Sequence, residues 1–404
     1  MVLFDIFCYG HGIFFVVLQT LLMFGFFLEW LHDRKACKMG CQTALPKVSV
    51  IVPIHNEGRR MEALLKSLQE QDCFKDALRP DDASRPHGVC PQIIFVDDRS
   101  DDESPAMLAQ FAKDAAERGV ENCTIITLKE NPGPNYKQYA LSAGIAAARG
   151  DFFLFTDGDC EVPPGWIRAM ACRMTDPEVG AVIGPVFKKK QGKGFFPLYQ
   201  CYDHAVRYNY LAGAIGLGAA GGGFGNNIII RREALDAVGG YGAVPPSPTE
   251  DAALISLIRS RRKYRVHAAA LPDAAVETAA EKTWRGFISQ TLRWNNGGLF
   301  SPESMTRFNY NLLMLVITTG ILAIPLLPFF PGLWPMPAGV YIVMLENTIA
   351  AFGLFRKKLP KGGLLNLGYV LTLLFTPVYF SLMTIMGYCR IKIKWKGRVI
   401  AKRK

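Results

Sequence analysis

Two short acidic motifs set the chemistry open to this chain. Asp157-Gly158-Asp159 follows the apolar run Phe152-Phe153-Leu154-Phe155, and Gly158 lets the backbone turn so that both carboxylates can face one point. Two hard oxygen ligands beside a phosphate are what Mg²⁺ or Mn²⁺ requires, so Asp157 and Asp159 are the candidate metal ligands. Thr249-Glu250-Asp251 comes after the Pro-rich stretch 245–248 and opens a helical pattern. There Asp251 can act as a general base toward an attacking hydroxyl. Taken singly, each motif is equally well a turn or a helix cap.

Two further groups add to them. Asp97-Asp98-Arg99-Ser100 ends another apolar run, where a carboxylate can accept hydrogen bonds from a base N–H or a ribose hydroxyl. Their bland alternative is capping, with Asp101, Asp102 and Glu103 leading into a helix. In Gln290-Thr291-Leu292-Arg293-Trp294, helical spacing puts Gln290, Arg293 and Trp294 on one face. An arginine there can hold a diphosphate by paired hydrogen bonds, and Trp294 offers a flat apolar wall. The same pattern also suits an amphipathic helix at a membrane surface, with Trp284 nearby.

The elements that must position these residues alternate. Val48-Ser49-Val50-Ile51-Val52 reads as a buried strand, Met61 to Gln71 as an amphipathic helix, and Ile93 to Val96 as a second strand. Ser104 to Arg118 reads as helix, Thr124 to Leu128 as a third strand, Lys137 to Ala148 as helix, and Phe152 to Phe155 as a further strand. This alternation predicts an α/β fold with a mostly parallel mixed sheet covered on both faces. In such sheets ligands bind at the carboxyl ends of the strands, where Asp97, Asp98, Asp157 and Asp159 all stand.

Half of the 404 residues are hydrophobic and the mean hydropathy is +0.14, which points to segments in lipid. Between Asp5 and Glu29 lie 23 uncharged residues, long enough for one span. No basic region precedes them and no small-x-small site follows, which favours an anchor over a cleaved leader. The Lys and Arg excess after residue 32 places that side in the cytoplasm. The stretch from Arg307 to Glu346 fits two helices broken near Pro328, Pro331, Pro335 and Pro337, and Arg356, Lys357, Lys358 and Lys361 mark a return.

The expected organisation is therefore an N-terminal anchor over 1–32, an α/β domain over 46–300, membrane segments over 308–389, and a basic tail over 390–404. The last apolar stretch, 362–389, leaves two topologies open: a full crossing that would put the basic tail outside, or a re-entrant or interfacial segment turning near Thr376 and Pro377 that keeps it cytosolic. That tail carries eight of the net eleven positive charges, so anionic lipid headgroups are its expected partner. No aromatic-and-basic pattern supports nucleic acid. The ten scattered cysteines form no metal or disulfide pattern, consistent with a reduced, cytosolic main domain. Lys188, Lys189, Lys190 and Lys193 read as a solvated loop. The glycines between Gly213 and Gly225 form no phosphate loop and suggest close approach of a ligand or a mobile segment.

In order along the chain, Pro53-Ile54-His55-Asn56-Glu57, Asp97-Asp98-Arg99-Ser100, Lys137-Gln138-Tyr139-Ala140-Leu141, Asp157-Gly158-Asp159, Thr249-Glu250-Asp251 and Gln290 to Trp294 resemble the family 2 glycosyltransferases. The resemblance covers about Val48 to Trp294. It implies a GT-A nucleotide-sugar fold flanked by transmembrane helices, an inverting displacement, a UDP-sugar donor and a divalent metal, Mg²⁺ or Mn²⁺, at Asp157 and Asp159. It further implies a donor site built from Pro53, Asn56, Glu57, Asp97, Asp98, Lys137, Asp157, Gln290, Arg293 and Trp294. Asp251 would be the base, with Gly225, Asn226, Glu250 and Trp294 toward the acceptor.

Both processive polysaccharide synthases and enzymes that glycosylate a lipid once carry the Gln290 to Trp294 pattern. So few membrane segments offer few walls for a polymer channel, which favours a single transfer to a lipid or membrane-embedded acceptor. A non-catalytic nucleotide-sugar-binding protein is the remaining alternative, and the presence of all the key acids argues against it. The expected setting is the bacterial inner membrane, with the catalytic region in the cytoplasm.

Overall fold

Short apolar runs, most of them rich in β-branched or aromatic residues, become strands: β1 Val48–Ile54, β2 Gln92–Asp97, β3 Cys123–Thr127, β4 Phe152–Phe155, β5 Val179–Ile183, β6 Ile228–Arg231 and β7 Arg265–Ala268. The computed structural model describes residues 2–40, 45–77, 90–118, 122–132, 135–189, 192, 194–219, 222–245, 247, 249–355, 367–389, 391, 394–395 and 398–399. The chain forms two compact units, one of residues 29–187 and 223–279, the other of 1–28, 188–222 and 280–404.

In the first unit the seven strands pair in the order β3-β2-β1-β4-β6-β5-β7. β1 is parallel to β2 and β4, β2 to β3, and β5 to β7, whereas β6 runs antiparallel to both β4 and β5. The sheet is thus mixed and mostly parallel, as the alternating pattern predicts. Every residue of β4 is buried, as expected for a central strand covered on both faces. Val50, Val52, Leu64, Leu68, Phe95, Leu108, Phe111 and Trp166 build the core beside it.

The helices Ser104–Glu117, Tyr136–Ala147 and Glu250–Ser260 lie where the periodicity places them. The stretch Met61 to Gln71 differs in detail, with a 3₁₀ turn over Gly58–Met61 before the α-helix Glu62–Gln69. Gln71 falls outside that helix, and its amide donates to the carbonyls of Ser67 (3.1 Å) and Pro163 (2.7 Å). The long loop 72–92 opens with a helix over Asp72–Ala77, and residues 78–89 lie outside the described residues.

Residues 29–40, the end of the helix Val2–Gly40, belong to the α/β unit through polar contacts. Asp33, only 2% exposed, accepts from Arg173 Nη2 (3.0 Å) and from the backbone N–H groups of Ala270 and Leu271 (both 2.8 Å). Asp273 accepts from the same guanidinium at 2.8 Å. Glu29 accepts from the N–H of Ala268 at 2.7 Å, and the rings of His32 and His267 stack at 3.6 Å. Two acidic side chains of one helix thus satisfy three backbone donors of the segment 268–271 that otherwise lack ladder partners.

In the second unit, helices long and apolar enough to cross a membrane are Val2–Met39 (shared with the first unit), Ser304–Leu326 and Pro331–Gly353, with a shorter apolar helix over Thr372–Tyr388. Part of the glycine stretch proves to be helical, since Gly213 and Gly216 lie inside the helix Phe195–Gly216. A Cβ on Gly213 would sit 2.3 Å from the Leu22 carbonyl oxygen, and one on Gly25 would sit 2.2 Å from that of Gly213. These glycines let two helices touch backbone to backbone, so they serve helix packing rather than a ligand.

One open reading is narrowed and one expectation is corrected. Leu367–Tyr388 is one helix that contains Pro377, so the chain does not turn back at Thr376 and Pro377. Hydroxyls of Thr376 and Ser381 bond the carbonyls of Thr372 and Pro377, both at 2.8 Å, on either side of the proline. Lys188 is not solvated; it is 6% exposed, with Nζ 5.8 Å from the centroid of the Trp294 ring. Lys190, Lys193, Arg356, Lys357, Lys358, Lys361 and most of the tail 390–404 lie outside the described residues.

The Asp33 network carries a direct expectation. Asp33→Ala leaves two N–H groups unpaired and the buried Arg173 with Asp273 as its remaining carboxylate, which should cost about 3–5 kcal/mol. Thermal unfolding in detergent should show a large loss for Asp33→Ala and almost none for Lys35→Ala, an exposed site on the same helix.

Candidate functional site

The carboxyl ends of β1 and β2 form one wall of the site. Asn56 and Arg99 both adopt left-handed backbone, with φ of 53° and 56°, which makes sharp turns directly after each strand. Ser100 and Ser104 tie the two turns together: Ser100 Oγ accepts from the N–H of Asn56 (3.0 Å), and Ser104 Oγ from those of Glu57 (3.1 Å) and Gly58 (2.9 Å). Asn56 Oδ1 accepts in return from the N–H of Asp101 at 2.9 Å.

Asp97 and Asp98 are both buried. The Asp97 carboxylate accepts from the N–H of Ser100 (3.1 Å), and that of Asp98 pairs with Arg99 Nε (2.9 Å). Asp97 therefore shapes the turn, while His55 Nδ1 holds the carbonyl of Asp98 at 2.7 Å. Pro53 lies within β1, one residue before its end.

The Asp157-Gly158-Asp159 turn rests on this wall. A Cβ on Gly158 would meet Ile54 Cδ1 at 2.7 Å and Glu57 Cγ at 2.9 Å, so the glycine is required for contact rather than for backbone freedom. Asp157 is half-exposed and pairs with Lys137 Nζ at 2.6 Å, and the same ammonium lies 3.8 Å from Glu250 Oε1. Burial opposes the ammonium, yet Asp157 and Glu250 outweigh it and hold Lys137 above the ordinary lysine range. Beyond the turn, Asn226 Nδ2 donates to Cys160 Sγ at 3.5 Å, next to Asp159. Asn227 is a core residue instead, with its amide bonded to the carbonyls of Pro185 and Ala274 and to the Trp166 indole.

Asp251 stands at the start of the helix Glu250–Ser260 without capping it in the usual way. Its Oδ2 accepts from the N–H of Gly225 at 2.6 Å and its Oδ1 from that of Ala252 at 2.9 Å. A Cβ on Gly225 would approach the Asp251 carboxylate to 3.0 Å, so glycine permits this close contact. Burial and the neighbouring Glu250 push the Asp251 carboxyl up to about 6, against the pull of Lys137 and the two N–H groups. A cleft lined by Leu141, Phe155, Gly225, Tyr241, Glu250 and Asp251 opens at this point. Tyr241 is buried there, and desolvation together with Glu250, Asp251 and Asp157 holds its phenol protonated.

Asp157, Lys137, Glu250, Asp251 and Gly225 thus come together. Among the described residues no three His, Cys, Asp or Glu side chains gather as a metal-binding group. A divalent ion at Asp157 and Asp159 would then need phosphate oxygens to complete its shell, and two carboxylates fit that arrangement. Sequence reasoning misses Tyr241 and Asn135. Nothing around Tyr241 in the sequence marks it, whereas an Asn directly before a helix is a legible cap signal.

Gln290, Arg293 and Trp294 belong to the second unit, on the helix Trp284–Leu299. There Trp294 lies edge-on to His204 at 5.2 Å, with Arg207 5.7 Å from its ring. Arg207 is itself paired with the fully buried Asp203 at 2.8 Å. The Gln290 side chain is 7% exposed, and its Oε1 has no hydrogen-bond partner among the described residues.

Comparison with known proteins finds two family models: glycosyl transferase family 2 over residues 49–239, and glycosyl transferase family group 2 over residues 152–389. An undecaprenyl-phosphate 4-deoxy-4-formamido-L-arabinose transferase of Enterobacter sp. (strain 638) is 30% identical over 152 residues, 38% of this chain and 40% of that protein. A beta-monoglucosyldiacylglycerol synthase of Trichormus variabilis is 24% identical over 299 residues, 71% of this chain and 58% of that one. The chain thus spans less than two thirds of the length of either relative. Among solved structures, the mannosyltransferase PcManGT from Pyrobaculum calidifontis, in complex with GDP-Man and Mn²⁺, is similar with a TM-score of 0.51 and 21% identity over 93% of this chain and 96% of that one. That likeness establishes the fold as GT-A-like.

The seat of Gly158 is directly testable. Gly158→Ala should push the acidic turn away from Ile54 and Glu57 at a cost of about 1–3 kcal/mol, read as a lowered Tm. Gly242→Ala, where a Cβ meets nothing within 4 Å, should leave Tm almost unchanged.

Proposed function

The chain belongs to the family 2 glycosyltransferases, and from that premise we propose that it moves a sugar from a nucleotide-diphosphate sugar, most simply a UDP-sugar, to a hydroxyl of a lipid or membrane-embedded acceptor, with inversion. The observation that carries this reading is the meeting of Lys137, Asp157, Glu250 and Asp251 at the carboxyl ends of the strands. The relatives named above are a lipid-phosphate glycosyltransferase and a glycolipid synthase, and helices fit to cross a membrane accompany the α/β unit here.

In the proposed reaction the acceptor oxygen bonds to the anomeric carbon as the bond from that carbon to the diphosphate oxygen breaks. The acceptor proton passes to Asp251, whose two oxygens each keep a lone pair beyond the bonds from Gly225 and Ala252. A carboxyl held near 6 is ionised at neutral pH yet more basic than an ordinary aspartate. Asn56, Glu57, Asp97 and Asp98 form the nucleoside wall, and Gly225, Asn226 and Glu250 face the acceptor.

A divalent cation held by Asp157 and Asp159 would neutralise charge developing on the diphosphate. Lys137 adds a fixed cation beside Asp157, and Gln290, Arg293 and Trp294 serve the diphosphate and acceptor. The setting follows from the charges flanking the apolar segments: the α/β unit on the cytoplasmic side of a bacterial inner membrane, and the basic tail at anionic headgroups.

Incubation of the purified chain with a panel of labelled nucleotide sugars, Mn²⁺ or Mg²⁺ and extracted lipids should yield a singly glycosylated lipid. Long polymer would overturn single transfer. Asp251→Asn should lower kcat by about 10²–10⁴-fold. As pH falls through the raised value of about 6, Asp251 takes up its proton and kcat/KM should drop about tenfold per further unit. Unchanged turnover in Asp251→Asn would remove the base assignment.

A further inference from the structure

One turn of backbone, Asn135 to Gln138, touches both acidic motifs. Lys137 reaches Asp157 and Glu250, as described. The residues on either side of it reach the segment that leads into Asp251. Asn135 Nδ2 donates to the carbonyl of Ser247 (2.9 Å) and to Glu250 Oε2 (3.3 Å), and Gln138 Nε2 donates to the carbonyl of Val244 (2.7 Å). Asn135 Oδ1 meanwhile accepts from the N–H of Gln138 at 3.2 Å, capping the helix Tyr136–Ala147. Its single acceptor role and both of its amide hydrogens are therefore in use.

That full occupancy distinguishes Asn135 from an ordinary cap. Ser, Thr, Asp and Asn all cap helices well, and among them only Asn also carries N–H donors. The capping role alone would accept Ser or Asp, whereas the two bonds toward Ser247 and Glu250 would not. Among the described residues, ties within that segment include the N–H of Thr249 to Ser247 Oγ at 3.2 Å and a short 3₁₀ turn over Tyr241–Ala243. Asn135 and Gln138 add bonds to it from outside, beside those of Gly225 to Asp251 and Lys137 to Glu250.

We propose that Asn135 is a positioning residue for glycosyl transfer, using its side-chain amide to fix Ser247 and Glu250, and through them the adjacent Asp251, relative to Lys137 and Asp157. This rests on the reading of Asp251 as the base. Asn135 does not touch the reacting atoms; it sets where the base stands. A misplacement of the order of 1 Å can cost about 10²-fold in rate, so holding the segment is worth as much as many direct contacts.

The experiment uses the full-length purified chain and the UDP-sugar that supports turnover. Asn135→Ser keeps the cap and removes both donors. It should lower kcat about tenfold or more, with donor KM within about threefold and Tm nearly unchanged. Asn135→Asp also keeps the cap but sets a further carboxylate against Glu250. The groups facing Asp251 are Glu250, Lys137 and Tyr241, so the added negative charge should move the acidic limb of the kcat/KM profile upward. A purely structural cap would leave both kcat and the limb in place.

Wild-type kcat in Asn135→Ser together with an unmoved limb in Asn135→Asp would overturn the proposal. If Asp251→Asn is inactive while Asn135→Ser is fully active, the positioning role alone falls. If Asp251→Asn is fully active, the base reading falls with it.

Discussion

The ammonium of Lys137 is the interaction on which the rest of this site depends. A parallel sheet gathers its loops at one edge, and here those loops bring Asp157, Glu250 and Asp251 into one neighbourhood. Lys137 supplies a compensating charge at 2.6 Å from Asp157 and 3.8 Å from Glu250. Burial and the adjacent Glu250 raise the Asp251 carboxyl to about 6, with Lys137 pulling the other way. One cation thus ties the two acidic motifs together while the base candidate stays more basic than an ordinary aspartate.

Much of this was legible in the sequence because it depends on local rules. Apolar runs ending in Asp give strands whose carboxyl ends carry the acids, and helical periodicity gives the elements between them. What sequence could not supply is the pairing of residues far apart along the chain. Asn135 announces itself as a cap, but its second task, toward Ser247 and Glu250, exists only once residues 112 and 115 positions away arrive beside it. Tyr241 becomes a lining residue for the same reason. Asp97 has a further local task that its position at a strand end does not announce: its carboxylate accepts from the N–H of Ser100.

The membrane unit shows the same division. Apolar stretches long enough to span are plain from composition, whereas the use of their small and polar residues is not. Gly213 and Gly216 read as loop glycines because several more follow, yet they belong to a helix that Gly25 meets at backbone distance. Pro377 leaves a turn and a through-helix equally open in the sequence, and in apolar surroundings an intact helix is the cheaper way to satisfy backbone groups. Lys188 reads as solvated from its lysine neighbours, and its burial beside the Trp294 ring needs three-dimensional context.

The polar end of the first helix bears on how this protein can be divided. Glu29 and Asp33 satisfy the N–H groups of Ala268, Ala270 and Leu271, and Asp33 neutralises Arg173. The edge of the α/β unit therefore falls inside a continuous helix, upstream of the place where hydropathy alone would cut. A water-soluble version begun at the first strand would expose a buried guanidinium and three unsatisfied amides. One begun just before Glu29 keeps them covered. The helix is thus long and apolar enough to cross a membrane over its first part and, over its last three turns, a structural part of the α/β unit.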